Sequence, residues 1–383
     1  MWRSLASNML TILAVGLFLV AGVVIWGQSQ YTAQGPLEES ICLRVEHGSN
    51  MTRVSRELAK QGAITSAPIF RVGADYTDKS ARLKAGSFLV RPGASMQDIA
   101  DQITRGGAST CGTEILYRVG VTRIETQVRE LDPETEQFVV REEFDPTTGD
   151  LPDLFVKRRG ERDTRYRVTL AEGVTSWQVT EALNLMGVLQ GQVNSPPEGT
   201  LAPDSYEISA GEDRAAVLER MTKSQAERVA EAWNSRVDGL PLNSPEDLVI
   251  LASIIEKETG VPEERRDVAS VFVNRLNQGM RLQTDPTVIY GLTKGKGVLG
   301  RGLRQSELRK VTPWNTYVIE GLPPTPIANP GIESLKAAAN PADTNFVFFV
   351  ADGTGGHAFA TTLQDHNRNV AKWRQIEAER AND

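Results

Sequence analysis

Cysteine and histidine are scarce in this chain, two of the first and three of the second in 383 residues. His47, His357 and His366 are too scattered for an H-E-x-x-H pair, and Cys42 and Cys111 lack the spacing of a Cys/His metal site. No metal and no cofactor is expected. Runs of Lys and Arg are missing too, and the formal net charge is −7, so nucleic acid is disfavoured as a partner. One stretch, GKGVLG (Gly295–Gly300), fits G-x-G-x-x-G. No strand precedes it and no ribose-binding acid follows, which argues for a loop and against nucleotide binding. The two cysteines bracket one module. A disulfide in an oxidising compartment and two unrelated buried thiols both remain open.

Charge is absent from Ser4 to Leu37, and Met9 to Trp26 is almost wholly apolar. As a helix rising about 1.5 Å per residue, that run approaches the ~30 Å of a bilayer core. The run is longer than the apolar part of most signal peptides, and Gly27–Gln34 offers no A-x-A cleavage site. An uncleaved single-pass anchor is expected. Arg3 precedes the run while Glu38 and Glu39 follow it, which puts the N-terminus in the cytoplasm.

A unit of short apolar strand, glycine turn and amphipathic helix then occurs three times: Leu43–Gly62, Phe88–Gly107 and Arg167–Gly187. Ser49, Ser95 and Thr175 are the candidate helix caps, and Gly62, Gly107 and Gly187 the candidate stops. Val54 with Leu58, and Ile99 with Ile103, mark buried helix faces at i,i+4. Two units between Ile41 and Thr110 suggest a small α/β module of the LysM kind, a common glycan-binding architecture, although fold analogy alone does not establish binding. From Cys111 to Arg165 the texture changes. Gln137–Val140 and Leu154–Lys157 read as strands, and DPET and DPTTGD as turns, which together suggest a charged β-hairpin insertion. A long helix over about Asp213–Arg236 leads into the second half.

The helix that follows carries the chemistry. Ser244 is a good N-cap, Pro245 suits the first helical position, Glu246 and Asp247 suit the positive end of the dipole, and Gly260 ends the run. Two carboxylates, Glu256 and Glu258, lie near its end. At roughly 100° per residue, with Leu251 at zero, Leu248 falls at about +60°, Ile255 at about +40° and Glu258 at about −20°. Glu256 falls at about +140°, on the edge of that apolar face. Glu258 therefore points into apolar surroundings, where desolvation favours its protonated form, as a general acid near neutral pH requires. A structural glutamate tied to an arginine is the plainer reading of the same pattern.

Downstream, a helix bearing Val268, Phe272 and Leu276 ends at Gly279. Met280–Leu282 is extended, and Gln283–Pro286 turns into another helix. Asn274, Gln283 and Asp285 collect beside apolar residues, as a sugar-contacting cleft would need. Asn345–Ala351 and His357–Thr361 read as a hairpin around the Asp352–Gly356 turn. Asp365 and His366 suit substrate orientation or helix capping equally, and Trp314 is the tryptophan to test as a sugar platform.

Several segments carry a resemblance: EKET (Glu256–Thr259), NRL (Asn274–Leu276), GMRLQTDPTVIYG (Gly279–Gly291), NTY (Asn315–Tyr317), GLPP (Gly321–Pro324), NPG (Asn329–Gly331), FFVADGTGGHAF and DHN (Asp365–Asn367). With EGTLAPDSYE (Glu198–Glu207), they closely resemble the MltG/YceG-like endolytic murein transglycosylases over about Arg167–Lys372. The resemblance implies cleavage of the bond between N-acetylmuramic acid and N-acetylglucosamine, leaving a 1,6-anhydromuramoyl end on nascent strands at the membrane. It makes Glu258 the catalytic residue, in agreement with the helical wheel. Asn274, Gln283, Thr284, Asp285, Asn315 and Tyr317 become the candidate substrate-binding residues. One carboxyl suffices for a lyase, whereas a hydrolase would need a second, and Asp285 is the nearest candidate.

The expected fold class is α+β: an N-terminal transmembrane helix, a small LysM-like α/β module, a β-hairpin insertion and a mixed α+β YceG-like catalytic domain. The expected boundaries are 1–8 for a cytoplasmic tail, 9–26 for the anchor, 27–40 for a linker, 41–110 for the module, 111–164 for the insertion and 165–383 for the catalytic domain. The insertion is longer than the family's usual connection. Expected partners are peptidoglycan glycan strands and the inner membrane, with peptidoglycan synthases as candidates and the catalytic domain in the periplasm. A hydrolytic muramidase-type glycosidase and a non-catalytic peptidoglycan-binding scaffold are the alternatives.

Overall fold

The computed structural model describes residues 2–46, 48–105, 110–161 and 164–380, with side chains described from Leu13 onward. His47, Gly107 and the Arg3 side chain, all used above, lie outside what is described. The chain divides into two compact units, one of Met1–Ile115, Gln127–Glu143 and Leu151–Arg165, the other of Leu116–Thr126, Phe144–Asp150 and Tyr166–Asp383.

The first unit begins with α1 (Trp2–Thr32), a single uninterrupted helix. Within it, Leu13–Thr32 is long and apolar enough to cross a membrane, by length and composition. The helix runs six residues past Trp26 into the segment expected as linker, because Tyr31 is buried in the core of the unit that follows. That core is built by β1 (Ile41–Val45), α2 (Met51–Lys60), α3 (Ala67–Tyr76), β2 (Gly86–Val90) and α4 (Met96–Thr104). β1 and β2 pair antiparallel, with Leu43 opposite Phe88. Val54, Leu58, Ile99 and Ile103 are all buried, as their i,i+4 spacing predicts.

Local chemistry explains the helix starts. Ser95 makes a capping box with Asp98, but α2 is capped by Asn50, one residue later than expected, through its side-chain oxygen and the Arg53 N–H at 2.9 Å. α3 was not foreseen. Its Ser66 cap and Pro68 are ordinary start signals, yet only Phe70 and Ala74 on it are buried, too few to show a period. Cys42 and Cys111 are joined by a disulfide, which decides the point the spacing left open.

Next come β3 (Thr113–Val119), β4 (Ile124–Asp132), β5 (Gln137–Phe144) and α5 (Asp153–Arg158). The reading of Leu154–Lys157 as a strand is corrected: it is helix, with Asp153 in its first turn and Lys157 and Arg158 in its last, where each favours the helix dipole. Its apolar run is too short for periodicity to tell strand from helix. The second unit continues with β6 (Arg165–Leu170), α6 (Ser176–Leu185), β7 (Ser205–Ile208) and α7 (Arg214–Asn234). β6 and β7 pair antiparallel, with Val168 opposite Tyr206.

The remaining elements are α8 (Pro245–Glu258), α9 (Arg265–Asn277), α10 (Asp285–Thr293), α11 (Gln305–Leu308), α12 (Ile332–Ala339), β8 (Phe348–Ala351), β9 (His357–Ala360) and α13 (Leu363–Arg380). α8 is the central helix of this unit. Residues Leu248 to Ile255 are all buried, and α7, α9 and α12 pack around it. β8 and β9 form an antiparallel hairpin with Ala351 opposite His357, and β8 lies against α9.

Candidate active site

Glu258 is the last residue of α8, where the buried body of the helix meets the start of α10. The helix begins as its sequence dictates, with Ser244 accepting from the Asp247 N–H and Pro245 in the first turn. The two carboxylates near its end part company. Glu256 accepts the Gly331 N–H at 2.9 Å at the start of α12 and is thereby spent on scaffold. Glu258 turns instead to Thr284, whose hydroxyl donates to its Oε1.

Thr284 is held by two further threonines, all three buried. Its N–H donates to Thr316 Oγ1 at 3.0 Å, and Thr287 Oγ1 donates to its carbonyl at 2.7 Å. Thr316 and Thr287 hydroxyls are 2.8 Å apart. With the Thr287 proton committed to the carbonyl, the Thr316 hydroxyl is the donor between them. The result is a dry, fully satisfied hydroxyl cluster that leaves the Thr284 proton for Glu258. Gln283 makes the preceding turn possible with φ of 49°, a left-handed conformation, and its N–H donates to Thr316 O at 3.1 Å.

Burial pushes the Glu258 carboxyl above the ordinary glutamate value, and the charge of Asp285 adds to the rise; the Thr284 hydrogen bond and the charges of His357 and Arg275 work against it. Burial prevails. Asp285, the first residue of α10, is exposed, and its Oδ1 accepts the Tyr317 hydroxyl proton at 2.7 Å. Burial, then Asp285, hold the Tyr317 hydroxyl far above the usual tyrosine range, so it remains a donor.

Thus Glu258, Thr284, Asp285 and Tyr317 are brought together, with exposed Gln283 beside them. Asn274 and Asn315 turn their amide N–H groups to main-chain carbonyls. Asn274 Nδ2 donates to the carbonyls of Thr344 at 2.8 Å and Phe346 at 2.9 Å. Asn315 Nδ2 reaches the carbonyls of Lys310 at 2.7 Å and Leu308 at 3.1 Å, while its Oδ1 accepts the Tyr317 N–H. Both amides close loops.

Sequence reasoning passed over their neighbours. Arg275, buried, donates to Val347 O at 2.7 Å and Leu282 O at 2.6 Å and so ties the strand β8 region to the segment before Gln283. Glu264 accepts both the His357 N–H at 2.8 Å and an interaction with His357 Nδ1 at 2.7 Å. A Cβ at Gly356 would come within 2.4 Å of Glu264 Oε1, so the glycine is what lets the carboxylate reach the histidine. Thr287, Thr316 and Arg275 all sit inside the motifs quoted above; a rule favouring buried hydroxyls over amides would have found the two threonines.

Other candidates serve the scaffold. Glu198 is half-buried and accepts from Ser176 N at 2.7 Å and Tyr290 OH at 3.2 Å, which ties the Glu198–Glu207 segment to α10. Trp314 donates to Thr325 Oγ1 at 2.9 Å, packs on Tyr290 and lies under Lys294 Nζ at 3.4 Å from the ring centre. Asp365 accepts from Thr362 at the start of α13, and His366 stacks on Phe348, so the pair caps and packs. The Gly295 carbonyl accepts from Thr175 Oγ1 at 2.7 Å, which makes the glycine-rich segment a loop beside α6.

The profile of the YceG-like family matches residues 43–149 and 146–372. A relative described as an endolytic murein transglycosylase of Bacillus subtilis (strain 168) is 26% identical over 372 residues, covering 93% of this chain and 91% of its own. One with the same description from Streptococcus pneumoniae serotype 2 (strain D39 / NCTC 7466) is 24% identical over 339 residues, covering 87% of this chain and 58% of its own. A solved structure of a YceG-like protein from Listeria monocytogenes is 23% identical, covers 86% of this chain and 99% of that one, and has a TM-score of 0.47.

Proposed function

Because the chain belongs to the YceG-like family, we propose that it is an endolytic murein transglycosylase in which Glu258 is both acid and base. The observation that carries this reading is the state of that one carboxyl. Burial favours its protonated form, and Thr284 occupies Oε1 as an acceptor, so Oε2 is left to bear the transferable proton.

The reaction needs no second carboxylate. Glu258 gives its proton to the glycosidic oxygen as the bond to the anomeric carbon of N-acetylmuramic acid breaks and positive charge builds there. The carboxylate so formed takes the proton of the C6 hydroxyl of the same sugar. That oxygen bonds to the anomeric carbon and closes a 1,6-anhydro ring, and Glu258 is protonated again. An internal nucleophile has a high effective concentration, so no water has to be positioned. The Thr284 hydrogen bond stabilises the intermediate carboxylate, in which charge has just appeared. Asp285, Tyr317 and Gln283 line the approach and are assigned to holding the glycan. Asn274 and Asn315 drop out of that role.

In this reading α1 is a single-pass anchor of the inner membrane with its N-terminus in the cytoplasm and the chain that follows it in the periplasm, so that nascent strands close to the bilayer are the substrate. The exposed apolar side chains from Leu13 to Trp26 support it. The core of β1, α2, α3, β2 and α4 supports a self-standing LysM-like module, and peptidoglycan synthases, whose product is this substrate, are the expected partner class.

The test is digestion of purified murein by the full chain and by its Glu258→Gln variant, with mass spectrometry of the released ends. Anhydro ends from wild type and none from the variant are expected. Reducing ends would replace the lyase with a hydrolase using Asp285, and undiminished release by the variant would remove Glu258 from the mechanism.

A further inference from the structure

The anchor reading above has a consequence for α3, and the inference here rests on that reading. α1 does not hang from the first unit by a loose tether. Tyr31 is buried in the unit's core, and its ring lies 2.4 Å from where a Cβ on Gly73 would be, so this helix crossing is open to glycine alone. Gly93 is similarly filled by the Gln34 side chain, at 2.5 Å from an added Cβ, and Gly35 by the Ala94 carbonyl. The end of α1 is thus packed against α3 through Tyr31, and the residues just after it, Gln34 and Gly35, against the turn before α4.

Helical rise then sets the height of α3. The exposed apolar run of α1 ends at Trp26, and Gly27–Gln30 are small or polar. Five residues from Trp26 to Tyr31 rise about 7.5 Å. The headgroup layer of a bilayer is about 5–7 Å deep on each side, so Gly73 lies at its outer edge. α3 buries Phe70 and Ala74 in the core and turns Gly73 to α1. A third face carries Pro68, Val72 and Tyr76 at i, i+4 and i+8, all exposed, with Val72 at 67% and Tyr76 at 89% of full exposure. An apolar stripe of this kind, ending in tyrosine at headgroup height, has the chemistry of an interfacial anchor.

We propose that the Pro68–Val72–Tyr76 face of α3 rests on the lipid surface beside the anchor, holding the first unit flat on the bilayer. The charges around it are of both signs, Arg71 with Asp75 and Asp78. Lys79 is already paired with Asp101 at 2.6 Å. The contact is therefore apolar and interfacial, and a zwitterionic lipid suffices.

The test uses the full chain in phosphatidylcholine vesicles, with p-benzoyl-phenylalanine at one position at a time. The Tyr76→p-benzoyl-phenylalanine chain, irradiated and analysed by mass, should give a lipid adduct within about threefold of the yield from Trp26→p-benzoyl-phenylalanine in the anchor. Adducts at Trp26 but not at Tyr76, or adducts joining Tyr76 to a second chain, would overturn the docking of α3 while leaving the anchor standing. No lipid adduct at either position would sink the anchor reading, and this inference with it. Because Tyr76 is almost fully exposed, the substitution leaves the core intact.

Discussion

Thr284→Val isolates one hydrogen bond at the centre of the site. Valine keeps the branched shape in a buried position, and the main-chain bonds of Thr284 to Thr316 and Thr287 do not involve its hydroxyl. What disappears is the donor to Glu258 Oε1. Hydrogen bonds to charged groups contribute about 1.5–3 kcal/mol, and this one is stronger to the carboxylate than to the protonated acid. At ~1.4 kcal/mol per pH unit, its loss raises the Glu258 pKa by about 1–2 units. Glycan release needs Glu258 protonated in the free enzyme, so kcat/KM falls as pH rises through that pKa. The alkaline limb of the profile should therefore move up by about 1–2 pH units in Thr284→Val. The maximum should drop, by ~10-fold or more, because the carboxylate formed in the first step loses its stabilising donor. Release of soluble fragments from murein between pH 4 and 9 measures both. A limb that stays in place, or moves down, would refute the role given to Thr284.

The raised pKa of Glu258 also has a cost in stability. The folded chain holds this proton to higher pH than the unfolded chain, so stability is fully present below the ordinary glutamate value of 4.5 and is lost as pH rises through the folded value. Glu258→Gln removes that slope. Its melting temperature should exceed that of wild type at pH 8 and converge with it near pH 4, as calorimetry at both would show. Asn315→Ala should behave in the opposite sense. Leaving the Lys310 and Leu308 carbonyls without their donor should cost about 2–3 kcal/mol in denaturant unfolding, with KM for glycan unchanged at a temperature where the variant is folded.

Much of the candidate site was legible because its signals are local. Ser244, Pro245 and the acids of the first turn mark where α8 starts, and the phase of the apolar residues within one helix is enough to send Glu258 and Glu256 in different directions. Caps at Ser95 and Thr175 and the i,i+4 faces of α2 and α4 are short-range as well. α5 escaped because six residues with one buried side chain carry no period. The main-chain bonds of Asn274 and Asn315 were not legible, because an amide beside apolar residues has the same pattern whether it faces a sugar or a main-chain carbonyl.

By itself, then, the sequence determined the long, periodic helices, the phase of Glu258 on α8, and the motif set that marks the family, since these depend on spacing along the chain. Tertiary structure alone decided what surrounds the acid. Thr284 meets Thr316 across 32 residues, Glu264 meets His357 across 93, and Cys42 meets Cys111 across 69. Such pairings are products of how elements distant in sequence pack, and no residue announces its distant partner. The same holds for Tyr31 against Gly73, where the end of an apolar helix becomes part of a folded core only because a glycine far along the chain leaves it room.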